Sequence, residues 1–465
     1  MTDVVFIGPS LPADEVGRLL PDAVVLPPVA HGDLLRLDVA PGDRVLVFDG
    51  FFLQHPPVRH REILDLLDRG VTVAGAASRG ALRAAELWPF GMRGVGEVFQ
   101  LYRDGVVTGD DEVAVVHGSA EDGHRALSVP LVNIRVALRR AVAAGVLSDT
   151  EAVLLLNIGR DLPFRRRSYR ALERSAPPEA KDVVDRFLTW HRQDPSDTKG
   201  ADARLLLSMA ADNAPELCPA HPGDQPIDNL HTRFLDSWRS RFAGESVGGH
   251  WTSDREAAAV LMLLHPESPT WHRRGVLAGL AEVDITDPAV EERASEVARR
   301  RGLTGAPASG WDWLTDRERD LDDREAVLRV LVRAFGTTPY RSLALWMVAA
   351  PLRTPALLTA ARQVAATAAS LNETLVPQTT GRRRPGGRLH FRTEIGDACF
   401  ARLWGSAVDE LEAAAWDRGF VDLAAFRYAA EPLVAYVKAF GSPRLPTVGT
   451  RAQEGTLAGP AARVG

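Results

Sequence analysis

The sequence predicts an α/β N-terminal domain with a mostly parallel sheet, followed by an all-α C-terminal domain. Short apolar runs alternate with helical segments over the first quarter of the chain, as in parallel sheets covered on both faces. Amphipathic helical patterns then follow one another through the second half. The 465 residues, 45% hydrophobic and 25% charged, suffice for two or three domains. We expect an α/β domain with trailing helices at 1–190, a linker at 191–228, a helical domain at 229–440 and a disordered tail at 441–465.

The elements of the α/β domain are predicted from the composition of each apolar run. Short runs rich in Val, Ile and Leu are typical of buried strands, and the longer segments between them have helical spacing. The expected strands span Val4 to Ile7, Ala23 to Leu26, Asp43 to Phe48 and Val71 to Gly75, and the expected helices span Pro12 to Leu20, Pro57 to Arg69 and Gly80 to Leu87.

The later helices are predicted from their start signals. Apolar positions recur at helical spacing from Leu127 to Val146, and Pro130 lies near the expected first turn. Ser253 and Glu256 have the spacing of a capping box. The span 191–228 is rich in Pro, Asp and Gly, which favours a linker.

Composition excludes several classes of protein. A net charge of -6 gives no global attraction to nucleic acid, and the basic loops Arg165 to Arg167 and Arg382 to Arg388 lack interleaved aromatic residues. The two cysteines, Cys218 and Cys399, have no motif spacing, which fits a reducing, cytoplasmic location. The N-terminus has no signal-peptide pattern, and no apolar run is long enough to span a bilayer, so we expect no membrane partner.

No cofactor or metal is expected from the motifs. Neither a G-x-G-x-x-G nor a Walker A sequence is present, and His31, His55 and His60 lack zinc-ligand spacing. Three adjacent acids, Asp110, Asp111 and Glu112, have the oxygen donors that Mg²⁺ or Ca²⁺ prefers. The loop lacks the ligand alternation of a calcium site, so an acidic turn paired with Arg83 or Arg93 is favoured.

Ser78 is the first candidate for a reactive residue. It lies between a predicted strand and a predicted helix, where unpaired helix N–H groups meet the carboxyl edge of the sheet. Such a turn resembles the nucleophile position of hydrolases, although Ala76 replaces the first glycine of G-x-S-x-G. The alternative is that Ser78 only caps the helix, with Arg83 and Glu86 as a surface pair.

Other polar residues are expected near the same edge. Gly8 and Asp49 follow predicted strands, so they can gather with Ser78 where parallel sheets usually bind ligands. Asn133, on the predicted helix after Leu127, either reaches this site or lies on the solvent face of that helix.

Several blocks in the first half resemble the TfuA-like family, whose members accompany YcaO-type enzymes in peptide backbone thioamidation. The resemblance spans roughly residues 3 to 170, and the matching blocks occur in the family's order. They include Val5 to Leu11, Phe48 to Phe52, Val58 to Leu64, Gly75 to Leu87, Tyr102 to Gly105, Asp110 to Val113 and Val132 to Arg135.

The resemblance implies a function and partners. TfuA-like proteins are understood to hydrolyse the C-terminal thiocarboxylate of a ubiquitin-fold sulfur carrier, releasing sulfide, and to help the YcaO enzyme engage its ribosomal peptide substrate. The family's hydrolytic site is a Ser-Lys pair. In this sequence Ser78 occupies the serine position, and Arg61 occupies the position at which the resemblance places the lysine.

Arginine at position 61 changes the expected chemistry. A Ser-Lys pair needs an amine that loses its proton, whereas a guanidinium stays protonated in proteins. Arg61 is therefore expected to orient the anionic substrate, while N–H groups near Arg79 and Gly80 hold the oxyanion. The base is then His60, His117 or absent, although His60 projects about 100° away from Arg61 on the same predicted helix.

Three functions remain open from the sequence. The first is sulfide release by the Ser78 hydroxyl, and the second is a non-catalytic adaptor that docks the YcaO enzyme, peptide or carrier. The third is a serine hydrolase unrelated to sulfur. The arginine at position 61 is the sequence feature that favours the adaptor.

Overall fold

The computed structural model describes residues 1–51, 55–217, 223–228, 230–303, 312–339, 342–380 and 391–448. It divides into two compact units, Met1–Leu235 and Asp236–Gly465. Cys218, the basic loop Arg382 to Arg388 and residues 449–465 of the expected tail lie outside the described residues.

The first unit is an α/β fold. Its strands are β1 (Asp3–Phe6), β2 (Val24–Leu26), β3 (Arg44–Val47), β4 (Thr72–Gly75) and β5 (Arg93–Gly94). Its helices are α1 (Ala13–Leu19), α2 (His60–Asp68), α3 (Arg79–Leu87), α4 (Glu97–Arg103), α5 (Leu131–Ala143), α6 (Asp149–Asp161), α7 (Tyr169–Ser175), α8 (Lys181–Gln193) and α9 (Thr198–Ala211). A tenth helix, α10 (Arg233–Phe242), contains the point where the two units are divided.

The five strands form one parallel sheet in the order β2-β1-β3-β4-β5. Val5 pairs with Leu46 across the two central strands, and Leu46 pairs with Ala74 on the next strand. Leu46 and its neighbours on β3 are fully buried because helices cover both faces of the sheet. The predicted fold class is confirmed for this unit. Strand β5, which has two residues, was not predicted.

Helix α9 departs from the expected linker at 191–228. Its apolar residues Ala203, Leu206 and Leu207 pack with Leu46 and Ala74 in one buried cluster. The Pro, Asp and Gly signals that favoured a linker surround this helix. The helix itself is stabilised by packing of its apolar side against the sheet.

The second unit is helical, as predicted. After a short hairpin it contains α11 (Asp254–Leu264), α12 (Ser268–Ala281), α13 (Val290–Arg300), α14 (Asp323–Phe335), α15 (Pro355–Thr380), α16 (Thr393–Trp404), α17 (Leu411–Trp416), α18 (Leu423–Ala430) and α19 (Val434–Phe440). Leu261, Phe400 and Phe426 lie in its largest buried cluster. The predicted capping box is present, since the Ser253 hydroxyl accepts a hydrogen bond from the Glu256 amide.

The hairpin is the exception to the all-α expectation. Strands β6 (Gly244–Val247) and β7 (His250–Ser253) pair in antiparallel register. Gly248 and Gly249 both adopt positive φ, as a tight hairpin turn requires. Within the described part of the chain, no helix has both the length and the apolar character that a bilayer crossing requires.

Candidate functional site

The site lies where the order of the parallel strands reverses. Helical connections run to opposite sides of β1 and β3 at such a point, which leaves a crevice beyond the carboxyl ends of these strands. Gly8 follows β1 and Asp49 follows β3. The buried Asp49 carboxylate accepts hydrogen bonds from the Gly8 amide at 3.0 Å, the Ser10 amide at 2.9 Å and the Ser10 hydroxyl at 2.7 Å. Asp49 therefore fixes the loop after β1 against the end of β3.

A tight turn presents Ser78 beside this crevice. The Ser78 amide donates to the Ala76 carbonyl at 2.8 Å, which closes a three-residue turn around Ala77. Ala77 has a φ of 67°, so the turn is of the rare γ form that side chains disfavour. Ser78 follows it at the N-cap of α3, but its side chain makes no capping hydrogen bond. The Ser78 hydroxyl therefore does not cap the helix, which was the alternative role considered for it.

Two glycines allow α3 to start so close to the sheet. A Cβ atom on Gly80 would lie 1.7 Å from the Val47 carbonyl oxygen, and one on Gly75 would lie 2.1 Å from the Gly80 carbonyl oxygen. The Gly80 amide donates to the Phe48 carbonyl at 3.0 Å. Gly80 thus packs the helix against β3, and its N–H does not serve as the expected oxyanion donor.

Ser78 opens onto a cavity of about 270 Å³. This volume is at the small end of ligand sites and suits a narrow group. Ser78 itself is 7% exposed. The cavity is lined by residues from the ends of β3 and β4, from the acidic turn and from two loops: Pro9, Asp49, Gly50, Ser78, Arg79, Asp110, Val113, Ala114, Val115, Val116, His117, Phe164 and Arg165.

The guanidinium groups at this cavity belong to Arg79 and Arg165. Arg79 is 5% exposed and donates to the Asp110 carboxylate at 2.9 Å. Arg165 is exposed, and its guanidinium lies 5.7 Å from the centre of the Phe164 ring. Both can contact an anionic group that enters the cavity.

Lys199 is the functional candidate that the sequence analysis missed. Its ammonium nitrogen lies 3.8 Å from Asp49 Oδ1 and 3.2 Å from the Val113 carbonyl oxygen, and both of those residues line the cavity with Ser78. The residue is 3% exposed. Burial lowers the pKa of Lys199, and the nearby carboxylates of Asp49 and Asp197 oppose this shift without reversing it. The contacts with Asp49 and the Val113 carbonyl favour the charged amine, whereas burial favours the neutral one.

The start of α9 is held in place by Asn133. The Asn133 amide nitrogen donates to the Asp197 carboxylate at 2.9 Å, and its oxygen accepts from the Lys199 amide at 3.3 Å. Asp197 caps α9 through the Gly200 amide. Asn133 is thus buried and positions Lys199, whereas the sequence left open whether it reached the site. One feature of the sequence could have pointed to Lys199, namely the rarity of lysine. The chain is rich in arginine and has three lysines, Lys181, Lys199 and Lys438.

His117 also lines the cavity. Its Nδ1 lies 2.8 Å from the Gly118 carbonyl oxygen. Its ring lies 5.4 Å from that of His124 and 5.9 Å from that of Phe51. His117 was predicted as a possible base, and it lies at the same cavity as Ser78.

Residues 49–168 match the family model described as TfuA-like protein. No curated protein matches the chain. The TfuA-like region begins at Asp49 and includes Ser78, Asp110 and His117, whereas Lys199 lies beyond its end.

Two residues of the TfuA-like region that were predicted to be catalytic do not line the cavity. Arg61 donates to the Leu230 carbonyl at 3.1 Å. His60 Nε2 lies 2.9 Å from the Glu86 carboxylate and 3.3 Å from Arg83 Nη1. Arg83 and Glu86, considered both as a surface pair and as binding residues near Ser78, form the expected ion pair and contact His60.

The acidic turn of the TfuA-like region is paired with arginines. Its partners are Arg79 on α3, Arg135 on α5 and Arg167 in the loop before α7, and not the expected Arg83 and Arg93. Among the described residues, no group of three or more His, Cys, Asp or Glu side chains is arranged to hold a metal ion. The three pairs are Asp110 with Arg79, Asp111 with Arg167, and Glu112 with Arg135.

Proposed function

We propose that this chain is an accessory protein of YcaO-dependent peptide backbone thioamidation and that its first unit releases sulfide from a thiocarboxylated ubiquitin-fold sulfur carrier. The observation that carries the proposal is the cavity at the strand reversal. There, Ser78 is presented by a γ-turn and Asp49 contacts a buried lysine. The match of residues 49–168 to the TfuA-like family supports the same chemistry.

In the first half of the reaction, Ser78 Oγ attacks the carbonyl carbon of the thiocarboxylate. Burial favours the neutral amine of Lys199, and this amine accepts the hydroxyl proton, which is the role that the resemblance implied for a lysine. Lys199 then transfers this proton to the sulfur while the C–S bond breaks. Hydrosulfide leaves, and the carrier remains bound to Ser78 as an ester. The proton lost by Ser78 is thus the proton gained by the sulfur.

The other residues position the reactants. Arg79 is buried at the cavity wall and contributes a permanent positive charge for the anionic thiocarboxylate, in place of Arg61. Asp49, 3.8 Å from the amine of Lys199, orients that amine. A cavity of about 270 Å³ admits an extended chain end with small residues but not a globular domain.

Sulfide release by purified protein and thiocarboxylated carrier tests the proposal. We expect Ser78→Ala and Lys199→Met each to reduce the rate by at least about 100-fold, as loss of a nucleophile or of a general base does. Lys181→Met is the matched control, since Lys181 starts α8 and is exposed, whereas Lys199 is buried against Asp49. Sulfide release that is unaffected by Ser78→Ala would show that this serine is not the nucleophile.

The second candidate is a non-catalytic adaptor that docks the YcaO enzyme, peptide or carrier. Arg61 favours it, because the residue at the position implied for the family's lysine is held against the Leu230 carbonyl. An adaptor would bind carrier or YcaO enzyme with the same affinity before and after Ser78→Ala and would release no sulfide. Binding measured by calorimetry beside the sulfide assay separates the two candidates.

A further inference from the structure

We infer that His117 is the general base that activates water in the second half of this reaction, when the ester on Ser78 is hydrolysed. The inference rests on the proposed function. It adds a second base with a task distinct from that of Lys199.

His117 lies at the cavity on a loop that is held by its own hydrogen bonds. The Leu127 amide donates to the Val116 carbonyl at 2.7 Å, and the Gly118 amide donates to the Arg125 carbonyl at 2.9 Å. His117 itself pairs with Ala126 in an isolated antiparallel bridge. The backbone on both sides of His117 is therefore fixed, and its side chain faces the same cavity as Ser78.

The hydrogen bond at Nδ1 determines the protonation of the ring. A carbonyl oxygen can only accept, so the 2.8 Å contact with Gly118 requires the proton on Nδ1. In the neutral ring, Nε2 then carries a lone pair. This is the tautomer that serine hydrolases use for their histidine base, with a carbonyl here in the place of a carboxylate.

The proton balance of the two half-reactions differs, and the difference gives a second base a distinct task. In the first half, the serine proton passes to the departing sulfur and no proton leaves the site. In the second half, water attacks the ester carbon and the C–Oγ bond breaks. One proton of the water returns to Ser78 Oγ, and the product is a carboxylate. The other proton must leave for solvent, and Lys199, which is 3% exposed, is poorly placed to release it. His117 is only partly buried and can pass this proton outward.

The neighbour of His117 supports the assignment. Burial lowers the pKa of His124, and the adjacent His117 ring lowers it further. His124 Nδ1 is buried and has no hydrogen-bond partner among the described residues. A neutral His124 therefore packs edge-on against the His117 ring and places no positive charge beside it.

The test follows sulfide and the intact mass of the full-length protein after mixing with excess thiocarboxylated ubiquitin-fold carrier. His117→Asn keeps a side-chain N–H donor but removes the base. We expect it to release sulfide in the first turnover at the rate of the unchanged protein and then to turn over about 100-fold more slowly. The carrier ester on Ser78 should accumulate, and added imidazole should restore turnover to His117→Ala. His231→Asn, at an exposed histidine of the same unit, is the matched control.

The outcomes separate this inference from the proposed function. Equal steady-state turnover by His117→Asn and the unchanged protein overturns the inference and leaves the proposed function intact. Loss of the first-turnover sulfide in His117→Asn also overturns the inference, because His117 would then act in both half-reactions or would only stabilise the fold. If the unchanged protein releases no sulfide that depends on Ser78, the proposed function fails and the inference fails with it.

Discussion

The amine of Lys199 lies 3.8 Å from the carboxylate of Asp49 in the interior of the first unit. Lys199 comes from a helix beyond the TfuA-like region, and Asp49 is the first residue of that region. Asp49 also holds the loop that contains Gly8 and Ser10. One carboxylate thus connects the loop after β1, the end of β3 and the candidate base.

The charge of Asp49 predicts how the pH dependence of sulfide release responds to mutation. Burial lowers the pKa of Lys199, and the Asp49 carboxylate opposes that shift. The neutral amine is the active form, so the rate rises as pH rises through the pKa of Lys199. In Asp49→Asn the opposing charge is absent, so we expect this rise to move to lower pH. The profile of kcat/KM against pH checks it, and a shift to higher pH would contradict the assignment of Lys199 as the base.

Asp202 predicts a pH-dependent stability of helix α9. Its carboxylate accepts from the Glu97 and Val98 amides at 2.9 and 2.8 Å, and burial still raises its pKa from 3.8 to about 6. Between these values the folded protein holds the proton more tightly than the unfolded chain. The stability that Asp202 contributes is complete below the lower pKa and is lost as pH rises through the higher one, by on the order of 3 kcal/mol.

Urea unfolding across that pH window measures the effect of Asp202. In Asp202→Asn this part of the pH dependence should disappear, because the amide does not titrate. Asp212→Asn, at the exposed C-terminal end of α9, should keep it. An unchanged pH dependence in Asp202→Asn would assign the effect to another group.

The approach of α3 to the sheet predicts a large loss of stability in Gly80→Ala. The added methyl would lie 1.7 Å from the Val47 carbonyl oxygen, so the helix must move away from β3. We expect a loss of more than about 2 kcal/mol in the free energy of unfolding. Gly17→Ala is the control, since nothing lies within 4 Å of its added methyl and α1 should gain about 0.5–1 kcal/mol. Similar unfolding midpoints for the two variants would contradict this packing.

Arg61→Lys tests whether position 61 belongs to the chemistry. The Arg61 guanidinium contacts the Leu230 carbonyl, and Arg61 does not line the cavity of Ser78. We therefore expect the sulfide release of Arg61→Lys to lie within about twofold of the unchanged protein, with at most a small change in stability. A large gain of activity would show that position 61 can hold the catalytic lysine that the resemblance implies. It would also support the adaptor as the native function.

Much of the architecture follows from local patterns. Each predicted N-terminal strand, from Val4 to Gly75, corresponds to an observed strand within two residues at either end. Strand β5 has no such pattern because it pairs through two residues, Arg93 and Gly94. Helix α9 was not predicted because the residues on either side of it in the sequence are typical of loops. Its apolar face is recognisable only from its packing against the sheet.

The sequence by itself determined the parallel α/β sheet, the helical second half and the position of Ser78 between strand and helix. These depend on periodicity, turn residues and capping residues, which act over a few positions. Only the tertiary structure decided which groups share the cavity with Ser78. It placed Arg79 there and not Arg61, His117 and not His60, and it put Lys199 against Asp49. The physical reason is that burial and electrostatic environment are set by contacts between residues far apart in the chain, and the pKa of a lysine depends on both.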